Sequence, residues 1–255
     1  MGILTLATGD PAALRLLKAA LAARYGVRPL AFDGLRLLLT TQRRLWGLPV
    51  SVSVETAFQG VDHWLWMESA RFLGFLPFGG RAESYDGAAC YVMRRGVVTS
   101  SSEPPLMEIT SRRLWALRAV LLTPLSEEGI TLKSTGERAF RAYSSQSPET
   151  AVTVTLNEDN TLQRVETPLV FPTQAEGSGS AVLGTPLTYV IRLEGPLQTL
   201  SNVVLPTNLV IGWGNQPDET HTRYTIAAME ANPIIPENAF TLGSQLVPLS
   251  APKRR

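Results

Sequence analysis

The residue types best suited to covalent, acid–base or metal chemistry are sparse in this chain, and their spacing does not bring them together. His63 and His221 are the two histidines. They stand far apart and belong to no Cys/His spacing that would complete a tetrahedral zinc site. His63 opens an aromatic stretch and reads as a strand-edge residue, while His221 sits in a polar turn and reads as solvated. Cys90, followed by Tyr91 in an apolar stretch, is most simply a small buried hydrophobe, since a nucleophilic thiolate needs an activating neighbour. Glu127 with Glu128 and Glu158 with Asp159 are adjacent pairs in expected loops, where neighbouring carboxylates do not converge on one substrate. Gly79 and Gly80 precede Arg81, but the flanking strand, spacing and lysine of a phosphate loop are missing. No catalytic residue, metal site or cofactor is therefore expected. The pairs Arg43 with Arg44, Arg94 with Arg95, and Arg112 with Arg113 could guide an anionic headgroup or a membrane surface. Dispersed surface charge is the simpler reading, because each basic residue near anionic lipid contributes only about 1 kcal/mol.

The elements that would position these residues are mostly strands. Before them, residues 12–23 read as an amphipathic helix with Asp10 as N-cap, Pro11 at the first helical position, Leu14, Leu17 and Leu21 on one stripe, and Gly26 past the end. The segment from Leu35 through Leu39 to Trp46 fits either a short helix or a first strand. Val50, Val52 and Val54 alternate with Ser51, Ser53 and Glu55, which is a strand signature, and a turn over 59–62 leads into a second strand from His63 to Phe72 with Trp64 and Trp66 on one face. Asp86 with Gly87 marks a tight turn before a strand over 88–93. Residues 100–105 read as a linker. A second helix is expected between Ser111 and Leu125, capped by Thr110 or Ser111. Further strands are expected over 130–132, 139–143, 151–156, 162–167, 189–193, 209–213 and 223–229, with a long exposed loop over 172–186. The expected fold is mainly β (α+β): a single curved antiparallel sheet or unclosed β-barrel of roughly nine or ten strands, with two main helices forming a lid or plug.

Composition narrows the function. A chain of 255 residues with 44% hydrophobic content can bury a substantial core, and one domain over 1–250 with a short basic tail at 251–255 is expected. Twenty-three Lys and Arg against 22 Asp and Glu leave a formal charge of +1, which gives no footprint for nucleic acid. Cys90 stands alone, so no intrachain disulfide is possible. No apolar run approaches the roughly 20 residues of a spanning helix. The compartment is left open: periplasm or cell envelope if an upstream signal was removed, cytoplasm if the chain is complete as written.

The order of several short features resembles the outer-membrane lipoprotein carriers, the bacterial LolA/LolB-like proteins. These features are the N-terminal amphipathic helix, the Tyr85, Asp86, Gly87 turn followed by Tyr91, a mid-chain helix running into LLTPL at 121–125, the 129–143 region, and NPIIPENAF within 231–240. The resemblance implies an unclosed antiparallel barrel with a helical lid and an apolar cavity that shields acyl chains during transfer, without covalent catalysis. No arginine can be matched to a carrier's acyl-chain switch. Candidate contacts to the apolar ligand are Trp64, Trp66, Phe72, Phe75, Phe78, Trp115 and Trp213, each of which could equally be ordinary core. The expected function is binding, and possible transfer, of a lipid, lipoprotein acyl chain or other apolar ligand by a monomer that touches membranes at most transiently. Two alternatives stay open: an enzyme of the same fold acting on a hydrophobic small molecule, and an envelope interaction or sensor module.

Overall fold

The computed structural model describes residues 6–26, 32–144, 147–174, 181–183, 186–200 and 203–243. In chain order it begins with β1 (Thr8–Gly9), α1 (Pro11–Tyr25), β2 (Gly34–Leu45), β3 (Leu48–Gln59), β4 (His63–Phe72), β5 (Leu76–Asp86), β6 (Cys90–Arg94), β7 (Val97–Ser101) and α2 (Pro104–Ala119). It continues through β8 (Ile130–Gly136), β9 (Ala139–Ser144), β10 (Ser147–Leu156), β11 (Leu162–Leu169), β12 (Pro172–Gln174) and β13 (Ala181–Leu183). Last come β14 (Leu187–Leu200), β15 (Val203–Trp213), β16 (Thr222–Ala231) and the one-turn α3 (Glu237–Phe240). Fourteen of the strands form one unclosed sheet in the order β1-β8-β9-β10-β11-β14-β15-β16-β2-β3-β4-β5-β6-β7, with β12 and β13 paired separately. The short β1–β8 pairing is parallel. The fold is thus mainly β with two main helices, as the alternation in the sequence implies.

Several local expectations are corrected. The ambiguous segment from Leu35 to Trp46 is strand, not helix: its residues pair one for one with β3 from Gly34 opposite Gln59 to Leu45 opposite Leu48. The second helix starts at Pro104 rather than near Ser111, and Ser100 and Ser101 close β7 instead of belonging to a linker. Pro104 and Pro105 occupy the first turn, where a missing backbone donor leaves no intrahelical bond unmade. Part of the expected 172–186 loop is strand, with Pro172 opposite Leu183 and Gln174 opposite Ala181; residues 175–180, 184 and 185 lie outside the described ones, as does the 251–255 tail. The sheet also holds more strands than the roughly nine or ten expected.

Two compact units divide the chain. The first comprises Met1–Phe32, Ser111–Glu194 and Val210–His221. There α1 buries Ala13, Leu17, Ala20 and Leu21, while Leu14 is half-buried. Asp10 precedes the helix as expected, yet its side chain makes no cap bond and accepts from the Ser134 amide at 2.9 Å instead. Gly26 ends the helix at φ +67, with its N–H donating to the Ala22 carbonyl. The final turn of α1 then clamps the mid-chain bend: Arg24 donates to the Val120 carbonyl and the Tyr25 hydroxyl to the Leu121 carbonyl at 2.8 Å. Burial lowers the pKa of the Arg24 guanidinium. Cross-strand neighbours Phe140 and Val154, Ala142 and Val152, and Val154 and Val165 share one fully buried face of β9, β10 and β11.

The second unit comprises Asp33–Thr110, Gly195–Leu209 and Thr222–Arg255. Its frame is the antiparallel run β16-β2-β3-β4-β5-β6-β7. The segment 232–240 folds over one face of it, where Ile235, Ala239 and Phe240 pack on Ala57 and Leu65, and Ser84 donates to the Phe240 carbonyl at 2.7 Å. The Tyr85–Tyr91 stretch forms a closed turn: the Asp86 carboxylate accepts from Ala88 N–H, Ala89 N–H and the Tyr91 hydroxyl at 3.0, 2.8 and 2.8 Å. Partial burial pushes the Asp86 pKa up, but these hydrogen bonds outweigh it and hold the carboxyl below the usual aspartate range.

Two outcomes follow. Leu17→Ala should destabilise the protein by about 2–5 kcal/mol in denaturant unfolding, with the exposed Lys18→Ala near neutral. Because the folded pKa of Asp86 is depressed, its stabilising contribution is full above the ordinary aspartate pKa and is lost as pH falls through the folded value. Tyr91→Phe removes one of its donors, so a carboxyl NMR titration should find the Asp86 pKa moved upward.

Candidate functional site

In the second unit, register decides which side chains share a face. Antiparallel partners directly opposite one another point to the same side. Leu39 lies opposite Val54, which lies opposite Glu68, which lies opposite Arg81. The row beside it runs Leu37, Thr56, Trp66 and Glu83, and the next runs Leu35, Phe58, Trp64 and Tyr85. One face therefore carries an apolar floor (Leu35, Leu37, Leu39, Val52, Val54), an indole pair (Trp64, Trp66), and a charged margin toward the ends of the strands.

The indoles are buried, with centroids 6.3 Å apart, and Trp66 meets Tyr224 edge-on at 6.0 Å. Their polar tips differ. Trp64 Nε1 donates to Thr56 Oγ1 at 3.3 Å, and that hydroxyl donates to the Leu65 carbonyl at 2.9 Å. Trp66 Nε1 is buried and meets no acceptor among the described residues. A buried donor without a partner costs about 1–3 kcal/mol.

The charged margin begins next to Trp66. Glu68 is flanked by Arg43 at 3.4 Å and Arg81 at 3.6 Å, and Arg81 also reaches Glu83 at 3.9 Å. Arg43 donates to the Tyr224 hydroxyl at 3.5 Å. Burial is the main cause that raises the Tyr224 pKa, with Arg43 opposing and Glu68 adding to it, so the phenol stays neutral and able to donate at physiological pH. Trp64 and Trp66 stood out in the sequence as ligand contacts and Arg43 as half of a basic pair, but nothing there joined them to Tyr224 or Glu68. Tyr224, Arg43 and Glu68 come from three different strands, and strand pairing alone brings them together.

The remaining expected ligand contacts are placed elsewhere. Phe72 and Phe78 stack near the β4–β5 turn at 6.1 Å, and Phe75 and Phe78 are exposed. Trp115 and Trp213 belong to the first unit. Trp213 sits edge-on to Phe171 and to Tyr189, each at 5.7 Å, and Arg113 lies over the Tyr189 ring. Trp115 is buried beneath Arg118. A groove of about 900 Å³ in the second unit is lined mainly by the opposite face, Leu38, Thr40, Ser53, Glu55, Met67 and Ser69 among others, and also touches Val52 and Glu68; none of the seven aromatics lines it.

The groups with reactive potential hold structural positions. His63 hydrogen-bonds Asp62 at 2.7 Å and packs edge-on against Phe240. His221 is half-buried rather than solvated, its Nε2–H donating to the Trp213 carbonyl at 2.9 Å. Cys90 is buried, with its thiol toward Thr110 Oγ1 at 3.3 Å. Asp159 turns back to bind Thr161 through its backbone N–H and hydroxyl. No group of three potential metal ligands occurs among the described residues.

No family model matches the sequence, and no curated protein matches it. Among solved structures the chain is similar to a LolA superfamily protein from Nitrosomonas europaea, at 10% identity and a TM-score of 0.40, over 89% of this chain and 96% of that one. It is similar to a domain from Vibrio parahaemolyticus with a provisional outer-membrane lipoprotein-sorting designation, at 11% identity and a TM-score of 0.43, over 89% and 97%. It is also similar to a DUF1329 family protein from Desulfovibrio piger, at 9% identity and a TM-score of 0.42, over 91% and 98%.

If Trp66 is held edge-on by Tyr224 as described, Tyr224→Ala should lower the denaturation midpoint and red-shift the tryptophan emission, because it opens the packing over a buried indole. Tyr224→Phe should change neither by much, since it keeps the ring.

Proposed function

We propose that the chain binds an apolar ligand carrying an acyl chain, a lipid or an acylated protein, on the indole face of the second unit, and acts without covalent catalysis. The observation that carries this reading is the buried Trp66 Nε1–H with no acceptor among the described residues, set between an apolar floor and a charged margin. An acylated molecule has that same sequence of chemistry. Its hydrocarbon would replace the packing that now fully buries Leu37, Leu39 and Val54, its ester or amide carbonyl suits the indole donor, and its polar head suits Arg43, Glu68 and Arg81. Each methylene withdrawn from water contributes about 0.8 kcal/mol, so ten carbons offer on the order of 8 kcal/mol before ordering costs. The sequence resemblance implies the same class of cargo. Trp64 and Trp66 are the ligand contacts retained by this reading, and transfer would be release of the acyl chain to a second binder.

Native mass spectrometry of gently purified protein, with organic extraction of what is released, should find an acyl-bearing molecule at one per chain. A protein that stays ligand-free after incubation with phospholipids and acylated peptides would overturn the reading. Trp66→Phe should weaken binding of an acyl ester about tenfold, the worth of one hydrogen bond to a buried donor, while leaving a matched straight-chain hydrocarbon nearly unaffected.

A further inference from the structure

Three hairpin ends of the second unit lie side by side at one end of its strands. Leu45 opposite Leu48 brackets the β2–β3 turn, Phe72 opposite Leu76 brackets β4–β5, and Arg94 opposite Val97 brackets β6–β7. Val50 pairs with Phe72 and Arg81 with Arg94, so the register fixes all three turns at the same end. Each is built on the same device, a residue and a glycine both at positive φ: Trp46 and Gly47 (51° and 81°), Leu73 and Gly74 (51° and 81°), Arg95 and Gly96 (52° and 79°). Asparagine or aspartate is the favoured first residue of such a turn, because bulky side chains are disfavoured in the left-handed region. Here that place holds tryptophan, leucine and arginine. The turns also leave large apolar groups in water: Trp46 is 83% exposed, Phe75 68% and Val97 64%. Large apolar side chains left mostly in water, one of them at a conformationally unfavourable place, suit contact with something outside the chain.

Charge selects what that is. Arg43 and Arg81 pair with Glu68, and nearer the turns residues 44–50, 69–80 and 93–100 carry four arginines, Arg44, Arg71, Arg94 and Arg95, and no aspartate, glutamate or lysine. The opposite ends of the same strands carry Asp33, Asp62 and Asp86. Apolar tips, a tryptophan at the extremity and a basic band behind them match the depth profile of an anionic bilayer, with acyl chains outermost to the tips and phosphates at the level of the guanidinium groups. We propose that these three hairpin ends form a docking edge for an anionic lipid bilayer. The proposal stands apart from the ligand reading: it uses the turn residues with Arg44, Arg71, Arg94 and Arg95, whereas Arg43, Glu68 and Arg81 belong to the ligand's charged margin.

The test is flotation of the purified chain with vesicles of equimolar phosphatidylglycerol and phosphatidylcholine, against vesicles of phosphatidylcholine alone. Binding is expected on the anionic vesicles, weakening as salt is raised. Trp46→Asn combined with Leu73→Asn should cut that binding roughly tenfold or more while leaving the thermal midpoint unchanged or higher, because asparagine suits both turns better. Arg44→Gln with Arg71→Gln, which touches no turn residue, should cut it by a similar factor on anionic vesicles alone. Absence of binding by the wild-type chain, or equal binding by the variants, would overturn the proposal. So would concentration-dependent self-association that the asparagine variant abolishes, which would assign the edge to a second copy of this chain.

Discussion

Cross-strand register in the run β2-β3-β4-β5 is the constraint on which the second unit depends. β2 pairs with β3, and β3 with β4, continuously for ten or more residues, and β4–β5 keeps register from His63 to Ala70 before a shift at Arg71. A slip of one residue between β3 and β4 would send Trp64, Trp66 and Glu68 to the other face, and Leu65 and Met67 into their place. The same register seats Ala57 and Leu65 beneath Phe240. A ladder that long leaves few alternative pairings of comparable burial, so the two faces acquire separate identities.

Those identities follow the register: one face carries the indoles and the Glu68 margin, the other the Ala57 and Leu65 packing beneath Phe240. Along β4 the chemistry changes from indole to carboxylate to a half-buried ring within ten residues, from Trp64 and Trp66 through Glu68 to Phe72. The isolated histidines and Cys90 fall outside this gradient and are held by local partners, Asp62, the Trp213 carbonyl and Thr110. Buried polar groups in the first unit follow a different logic. There Arg24 and Tyr25 satisfy the carbonyls of a bend that no strand or helix could satisfy, which is why a guanidinium is tolerated beneath the surface.

The unsatisfied Trp66 donor and the bulky turn residues are places where local preference and structure disagree. Elsewhere they agree: prolines open helices, glycine closes α1, and an Asp-Gly pair makes the β5–β6 turn. Disagreements confined to a few positions in a chain otherwise consistent with its fold are where function is most economically placed.

The sequence by itself determined the strand-rich class, the boundaries of α1 and β4, the turn at Asp86, and the shared face of Trp64 and Trp66, because alternation, capping residues and turn chemistry are local properties. It could not settle whether the 35–46 segment was helix or strand, since a short apolar run fits both until a partner strand claims its hydrogen bonds. It placed α2 too late, because Pro104 and Pro105 look like a linker and are equally at home in a first helical turn. It treated seven aromatics as one set, whereas their separation into an indole pair, a hairpin end and a cluster in the other unit depends on pairings between residues far apart in the chain. Tyr224 beside Trp66, Arg43 beside Glu68, and three turns at one edge were decided only by tertiary structure, because register between distant strands is fixed by the burial of whole faces rather than by any residue's neighbours in sequence.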